Sequence, residues 1–275
     1  MIAAWMLYCV GIGLAFVIVG HAMERALHFA GRPTRWAWAA ALAGSFVVPA
    51  AAWLLPDSFR AVSVPAPEPI AYQPVANVGA PIVGEPAVAA PMARSALAPS
   101  DLDRPLAWTW GLASAALLAA LTIAALRLAV LRRRWRATVV HGRRVLVSDD
   151  VGPAVTGVWV PRIVIPGWAL SLAERQRELM LAHEEEHVRA GDPRLLAAGI
   201  VALLLAPWNP ALWWHMRRLR LAVEMDCDAR VLARGGAAPE YGELLLHVGG
   251  RRGHLLGAPA LGEPRSFLEH RIRRM

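Results

Sequence analysis

Three stretches of this 275-residue sequence carry no charged side chain over the length that crosses a lipid bilayer. They are residues 2–23, 36–56 and 105–126. About 20 apolar residues in an α-helix, rising about 1.5 Å each, span a hydrocarbon core of about 30 Å. Because 56% of the residues are hydrophobic and only 18% are charged, the composition excludes a disordered chain. It favours three transmembrane helices over an ordinary soluble domain.

The arginines between these stretches predict how the chain is oriented. The connection 24–35 holds three arginines and one acidic residue, and five arginines lie between residues 127 and 136. Residues 57–104 hold five acidic residues and three arginines. Because arginine-rich loops stay in the cytosol, we expect a multi-pass protein of the cytoplasmic membrane. Its N-terminus lies outside, and the chain after residue 127 begins in the cytosol.

The formal net charge of +8 lies entirely in residues 127–275, which hold 23 arginines and 15 acidic residues. A basic half of this kind fits contact with nucleic acid, contact with anionic lipid, or the cytosolic part of a membrane protein. The predicted orientation accounts for the charge. We therefore expect the lipid bilayer as a partner and no direct contact with nucleic acid.

Changes in composition divide the chain into five predicted parts. They are two transmembrane helices with a short cytosolic loop (1–56), a Pro- and Ala-rich extracytoplasmic loop (57–104), a third transmembrane helix (105–126), a cytosolic domain (127–262) and a basic C-terminal segment (263–275). The outer loop shows no periodicity and is predicted to be an extended linker. Short Val- and Ile-rich runs between residues 139 and 166 predict a small sheet, with the Pro-flanked last strand at its edge.

His183 and His187 lie on one predicted helix in the order His-Glu-Glu-Glu-His. A capping box at 171–174 and a stop at Gly191 bound this helix. Histidines four residues apart share a helical face and can reach a common ion, and zinc suits such ligands. Glu184 is then placed to act as the general base that takes a proton from a zinc-activated water. The alternative is a solvated acidic helix face with two incidental histidines.

Glu224 is the predicted third metal ligand, on a following helix over residues 211–234. Asp228, one turn later, can accept the free ring N–H of a zinc-bound histidine and fix its tautomer. The alternative is a surface cluster of acidic residues together with Asp226. Cys227 is more simply explained as a buried apolar side chain than as a ligand, and His215 as a polar residue at the membrane interface.

Residues 195–214 are a fourth uncharged segment, yet they cannot cross the bilayer once. The two histidines precede this segment and Glu224 follows it, so a single crossing would separate the ligands. The Pro207-Trp208-Asn209-Pro210 sequence supplies a break that leaves 195–206 about 18 Å long, too short to span. We expect a helical hairpin associated with the cytosolic leaflet and with Trp208, Trp213 and Trp214 at the headgroup level. A hairpin buried in the protein is the alternative.

Five parts of the sequence together resemble the integral-membrane zinc metallopeptidases of the BlaR/MecR antirepressor type. They are 156–166, 181–187, Asp192, 208–213 and 224–229. The resemblance implies an α-rich membrane protein whose cytosolic, gluzincin-like α+β metallopeptidase domain is held in a bundle of membrane helices. It also implies His183, His187 and Glu224 as zinc ligands and Glu184 as the catalytic base.

The same resemblance implies an activity and a partner, namely the cleavage of a cytosolic protein, typically a transcriptional repressor. The strand 158–165 would bind the substrate backbone by strand addition. This makes Val158, Val160, Ile163 and Ile165 candidate substrate-binding residues. Receptors of this type continue to an extracellular penicillin-binding sensor, whereas this sequence ends at Met275. Unless the chain is a fragment, we expect a separate sensor protein or the outer loop to supply the signal.

Two other functions stay open at this point. The same chemistry fits a housekeeping peptidase that clears damaged membrane proteins. A fourth protein ligand, from Cys227 or His215, would instead fit a signalling scaffold with structural zinc. Finally, the segment Ser266-Phe267-Leu268 could enter the active site as an internal inhibitor or a self-cleavage substrate.

Overall fold

The computed structural model describes residues 2–54, 99–252 and 265–273. The described part is a helix-rich fold with one small mixed sheet, as the sequence predicts. Its helices are α1 (Ile2–Phe29), α2 (Arg35–Leu54), α3 (Pro99–Arg132), α4 (Glu174–Ala190), α5 (Asp192–Leu205), α6 (Pro210–Ala233), α7 (Ala238–Arg252) and α8 (Arg265–Arg273). Most of the predicted outer loop, residues 57–98, lies outside the described residues.

Two of the described helices are long and apolar enough to cross a membrane. They are α1 and the part of α3 from Leu102 to Arg132. In α3, none of the most apolar 18 residues is buried inside the protein. A helix that leaves its apolar side chains outside the protein core fits contact with lipid. For α2 the predicted span remains a prediction.

The sheet has the strand order β1-β2-β4-β3, with strands β1 (Arg136–Val140), β2 (Arg143–Ser148), β3 (Ala154–Thr156) and β4 (Arg162–Pro166). β4 runs parallel to β2 and antiparallel to β3. The expected edge position of β4 is therefore wrong. Its last four residues are buried, Val164 completely, and only Arg162 at its start is exposed. The short strand β3 covers the edge that the prolines were expected to leave open.

Two groups of buried side chains hold these elements together. One lies between the sheet, α4 and α7 and includes Ile165, Leu181 and Tyr241. The other lies between α2, α5 and α6 and includes Trp38, Leu212 and Leu219. α4 and α6, which carry the predicted ligands, contact each other between the two groups.

The hairpin formed by α5 and α6 packs along α1. The Asn209 side chain donates to the Cys9 carbonyl oxygen at 3.3 Å, and Arg218 pairs with Glu24. Cys9 and Glu24 are 15 residues apart, or about 22 Å along a helix. If α1 crosses the bilayer as predicted, the hairpin turn lies past the midplane and not within the cytosolic leaflet. Trp208 contacts Trp5 and Trp110, near the predicted outer ends of α1 and α3. Under the predicted orientation, these contacts do not agree with a position of Trp208 at the cytosolic headgroups.

The ends of α4 follow the sequence only in part. Gly191 ends the helix in the left-handed conformation, with φ 69°, as the glycine predicts. The predicted capping box is not formed, because the Ser171 hydroxyl donates to the Trp168 carbonyl oxygen and the helix begins at Glu174 without a side-chain cap. A 3₁₀ turn over Gly167–Ser171 occupies the residues that the cap would need.

Candidate metal centre

His183 and His187 project from the same face of α4, and α6 brings Glu224 against them. Nε2 of His183 lies 3.2 Å from Nε2 of His187. The Glu224 carboxylate oxygens lie 3.5 Å from Nε2 of His183 and 3.7 Å from Nε2 of His187. Ligand atoms about 2.0 to 2.1 Å from a tetrahedral zinc ion are about 3.4 Å from one another. These three residues therefore fit the ligand set of a zinc ion.

The surroundings of the two imidazoles favour positive charge. Burial lowers the pKa of His183, but contacts with Cys227 and Glu224 raise it more, to about 10. Burial raises the pKa of Glu224, but Arg271 and the two histidines outweigh it and hold this pKa well below its usual value. The same negative surroundings attract a divalent metal ion, which must displace the proton from His183 in order to bind.

Asp192 holds the outer nitrogen of His187. Nδ1 of His187 donates to Oδ2 of Asp192 at 2.8 Å, which leaves Nε2 directed at the other ligands. Asp192 itself is 1% exposed, and its Oδ1 accepts from the Arg35 guanidinium at 2.9 Å. A carboxylate in this position fixes the tautomer and orientation of a ligand histidine.

His183 reaches its carboxylate through a tyrosine. Nδ1 of His183 lies 2.7 Å from the Tyr241 hydroxyl, which donates to Oδ1 of Asp228 at 2.8 Å. The predicted direct contact is long, since Asp228 is 3.6 Å from the ring. Burial and the neighbouring Asp228 raise the pKa of Tyr241, so the hydroxyl keeps its proton. Arg271 of α8 donates two hydrogen bonds of 2.8 Å to Asp228.

Cys227 lies beside the site but on a different side of His183. One possible metal-ligand atom of each of His183, His187 and Cys227 lies within 4.8 Å of the other two, which makes these residues a second possible ligand set. However, the Cys227 sulfur contacts Nδ1 of His183 at 3.3 Å and the His183 carbonyl oxygen at the same distance. We favour Glu224 as the third ligand, because its oxygens approach the Nε2 atoms that converge.

Glu184 is 3% exposed and lines a cavity of about 30 Å³ together with His183 and Tyr241. This volume has room for a water molecule. Leu268 and Arg271 of α8 also line it, and Arg271 pairs with Glu224 at 3.0 Å. The C-terminal helix therefore covers the cavity next to Glu184.

The neighbouring acidic side chains do not form a solvated face. Glu186 is 2% exposed and pairs with Arg189, Arg230 and Arg234. Asp226 is buried and accepts hydrogen bonds from Thr34 and from the backbone nitrogen of Arg35. Asp228 has the partners described above. The interpretation of these residues as surface charge is therefore wrong for all three, because each acid is buried and paired.

The family model described as BlaR1 peptidase M56 matches residues 106–274, more than half of the chain. The chain belongs to this family. M56 membership indicates a metallopeptidase with a metal cofactor, and it agrees with a membrane-associated protein. No curated protein matches the sequence.

The predicted substrate strand of this M56 peptidase is not a single strand. Val158 and Val160 lie exposed in the loop before β4, whereas Ile163 and Ile165 point into the core. The two isoleucines are therefore unavailable to a substrate, since β4 is paired on both sides. His215 also lies away from the site, where its ring contacts Ser45 and the Gly13 carbonyl oxygen.

The sequence did not predict the side chains that support the outer nitrogens of the two ligand histidines. Tyr241, Arg271 and Arg35 come from three helices that the sequence does not connect to α4. Asp192 was part of the resemblance but had no assigned role, which its position five residues after His187 and just behind the helix-ending Gly191 could have indicated. Carboxylates next to a ligand helix are frequent partners of metal-bound histidines.

Proposed function

We propose that this protein is a membrane-embedded zinc endopeptidase that cuts a cytosolic protein in signalling, with a transcriptional repressor as the leading candidate substrate. The observation that carries the proposal is the convergence of His183, His187 and Glu224 beside Glu184 in a chain of the M56 family. The arginine distribution supports a site that faces the cytosol.

Each side chain at the site has a distinct task under this proposal. His183, His187 and Glu224 hold the ion, which when bound supplies a Lewis acid and activates water near neutral pH. Glu184 accepts the proton of the attacking water on its carboxylate and returns it to the nitrogen of the leaving amine. Tyr241 and Asp192 fix the outer nitrogens of the two rings.

The open edge of β3 is the better candidate for binding the substrate backbone. Among the described residues, β3 pairs with β4 alone, so its other edge has backbone groups available for strand addition. β3 packs against α4, and Pro153, the residue just before it, lines the cavity with Glu184. A peptide paired with β3 would run past the proposed general base.

Cleavage by purified full-length protein in lipid nanodiscs tests this proposal. We would add zinc and a repressor encoded beside the gene and follow the products by mass spectrometry. Glu184→Gln should retain zinc and lower the cleavage rate by about 10² to 10⁴-fold. Glu185→Gln is the matched control, since Glu185 pairs with Arg143 and Arg189 on the outer face of α4, and it should cleave normally. An active Glu184→Gln enzyme would refute the proposed mechanism.

A signalling scaffold with structural zinc is the second candidate, and the observation behind it is the grouping of Cys227 with His183 and His187. If Cys227 occupies a fourth coordination position beside the histidines, no position is left for water. Zinc bound through sulfur, together with no cleavage of any protein tested, would support the scaffold over the peptidase.

A further inference from the structure

The first residues of α2 contact the metal centre through two carboxylates. Arg35 is the first residue of α2 and is largely buried, with its guanidinium 2.9 Å from Oδ1 of Asp192. The other oxygen of Asp192 holds Nδ1 of His187. One carboxylate therefore connects the start of α2 to a proposed metal ligand.

The second carboxylate belongs to the helix of the third ligand. Asp226 accepts hydrogen bonds from the backbone nitrogens of Thr34 and Arg35 and from the Thr34 hydroxyl, at 2.9 to 3.0 Å. It thereby caps the N-terminus of α2, where a negative charge is stabilised by unpaired N–H groups. Asp226 is two residues from Glu224, so the start of α2 contacts the helix of Glu224 directly, and it reaches His187 of α4 through Asp192, the first residue of α5.

Arg35 is the cation on which the position of Asp192 depends most. A carboxylate that is 1% exposed needs a paired cation and hydrogen bonds to remain ionised. Arg230 also approaches Asp192, but at 3.5 Å and on the oxygen that His187 uses, and it pairs more closely with Glu186 at 3.1 Å. Without Arg35, the Oδ1 atom of Asp192 would lose its charged donor.

We propose that Arg35 is a positioning residue for the metal ligand His187. Acting through Asp192, it fixes the direction in which the imidazole presents Nε2, so that the α1–α2 connection forms part of the outer support of the metal centre. This inference rests on the proposed function, because it takes His187 as a metal ligand. Arg35 lies about 150 positions from His187 in sequence and is a further residue on which the metal centre depends.

The test measures metal binding and does not require a substrate. Full-length protein in nanodiscs would be titrated with Co²⁺, whose visible absorption reports coordination geometry, and Zn²⁺ affinity would be obtained by competition. We compare wild type with Arg35→Gln, which removes the charge, and Arg35→Lys, which keeps the charge but not the planar fork. Arg218→Gln is the matched control, because Arg218 forms a similar pair with Glu24 in the same bundle.

Arg35→Gln should lower the affinity for both ions about tenfold, the lower end of the cost of losing an outer partner of a ligand, and should alter the Co²⁺ spectrum. Arg35→Lys should recover part of the affinity, and Arg218→Gln should match wild type. Equal affinities for wild type and Arg35→Gln would overturn the inference, as would equal losses in Arg35→Gln and Arg218→Gln.

Two further outcomes are also decisive. If Arg35→Gln does not fold, Arg35→Lys alone tests the inference. A lowered metal affinity of Arg35→Lys at an unchanged thermal midpoint supports the positioning role of Arg35, and wild-type metal affinity refutes it. Wild-type protein that binds neither ion would overturn the inference and the proposed function together. Normal binding by wild type with no effect of Arg35 overturns the inference alone.

Discussion

The Tyr241 hydroxyl lies 2.7 Å from Nδ1 of His183 and donates to Asp228, so it connects that ring to the carboxylate by hydrogen bonds. On the other ligand, Asp192 contacts Nδ1 of His187 directly. A buried arginine donates to each carboxylate. Arg271 contacts Asp228, and Arg35 contacts Asp192. Each proposed ligand is thus held by a hydrogen-bonded series of a carboxylate and an arginine, and the series at His183 also includes a tyrosine.

Tyr241→Phe should weaken metal binding without unfolding the protein. The variant keeps the ring, which is fully buried in the core between α4 and α7, and removes only the hydroxyl between His183 and Asp228. We expect a loss in zinc affinity of about tenfold or more, measured by competition with a chromogenic chelator.

Tyr8→Phe is the control for this substitution, because Tyr8 lies exposed on α1. If Tyr241→Phe and Tyr8→Phe bind zinc equally well, the hydroxyl does not support the ligand.

The choice between Glu224 and Cys227 as third ligand can be made with two variants. Glu224→Gln should reduce zinc affinity by more than the roughly 10- to 100-fold cost of losing an outer partner. Cys227→Ser should change it much less, because the sulfur faces Nδ1 of His183. The Co²⁺ form of the wild type should lack the near-ultraviolet charge-transfer band of a metal–thiolate bond. A strong band that disappears in Cys227→Ser would identify Cys227 as the ligand.

The sequence predicted those parts of this molecule that depend on local pattern. The histidine spacing on α4, the stop at Gly191 and the extent of α6 all follow from the 3.6-residue period and the glycine conformation. The requirement that His183 and Glu224 meet also predicted, without any structure, that residues 195–214 return to the same side.

The remaining features depend on contacts between distant segments. β4 became an interior strand because three residues of β3 pair with it, and so short a strand has almost no pattern in sequence. Tyr241 and Arg271 reach the site only because α7 and α8 pack against α4 and α6. The sequence around Asp228 shows the same pattern whether its carboxylate contacts a histidine directly or through a tyrosine hydroxyl.

Arg271→Ala should destabilise the protein as well as the site. Arg271 and Asp228 are both buried, and removing one partner of such a pair costs about 3 to 5 kcal/mol, because the remaining charge has no counterion. The free energy of unfolding, from denaturant titration in micelles, measures this loss.

Arg273→Ala, at an exposed position of α8, is the matched control and should change the free energy of unfolding by less than about 0.5 kcal/mol. Equal stability of the two variants would show that α8 does not need Arg271 to dock on the site.

The close packing of α1 on the hairpin predicts opposite effects for two neighbouring glycines. A Cβ atom at Gly13 would lie 2.8 Å from the Ala211 Cβ, whereas a Cβ at Gly11 meets nothing within 4 Å. Because neither Cβ in the Gly13 contact can rotate away, Gly13→Ala must separate α1 from α6, at a cost of about 1 to 3 kcal/mol. Gly11→Ala should be neutral or stabilising, since alanine favours a helix by up to about 1 kcal/mol over glycine. Unfolding of both variants in mixed micelles, followed by circular dichroism, measures the difference. If Gly13→Ala is as stable as Gly11→Ala, the hairpin does not pack against α1 along this face, and its turn does not lie beside Cys9.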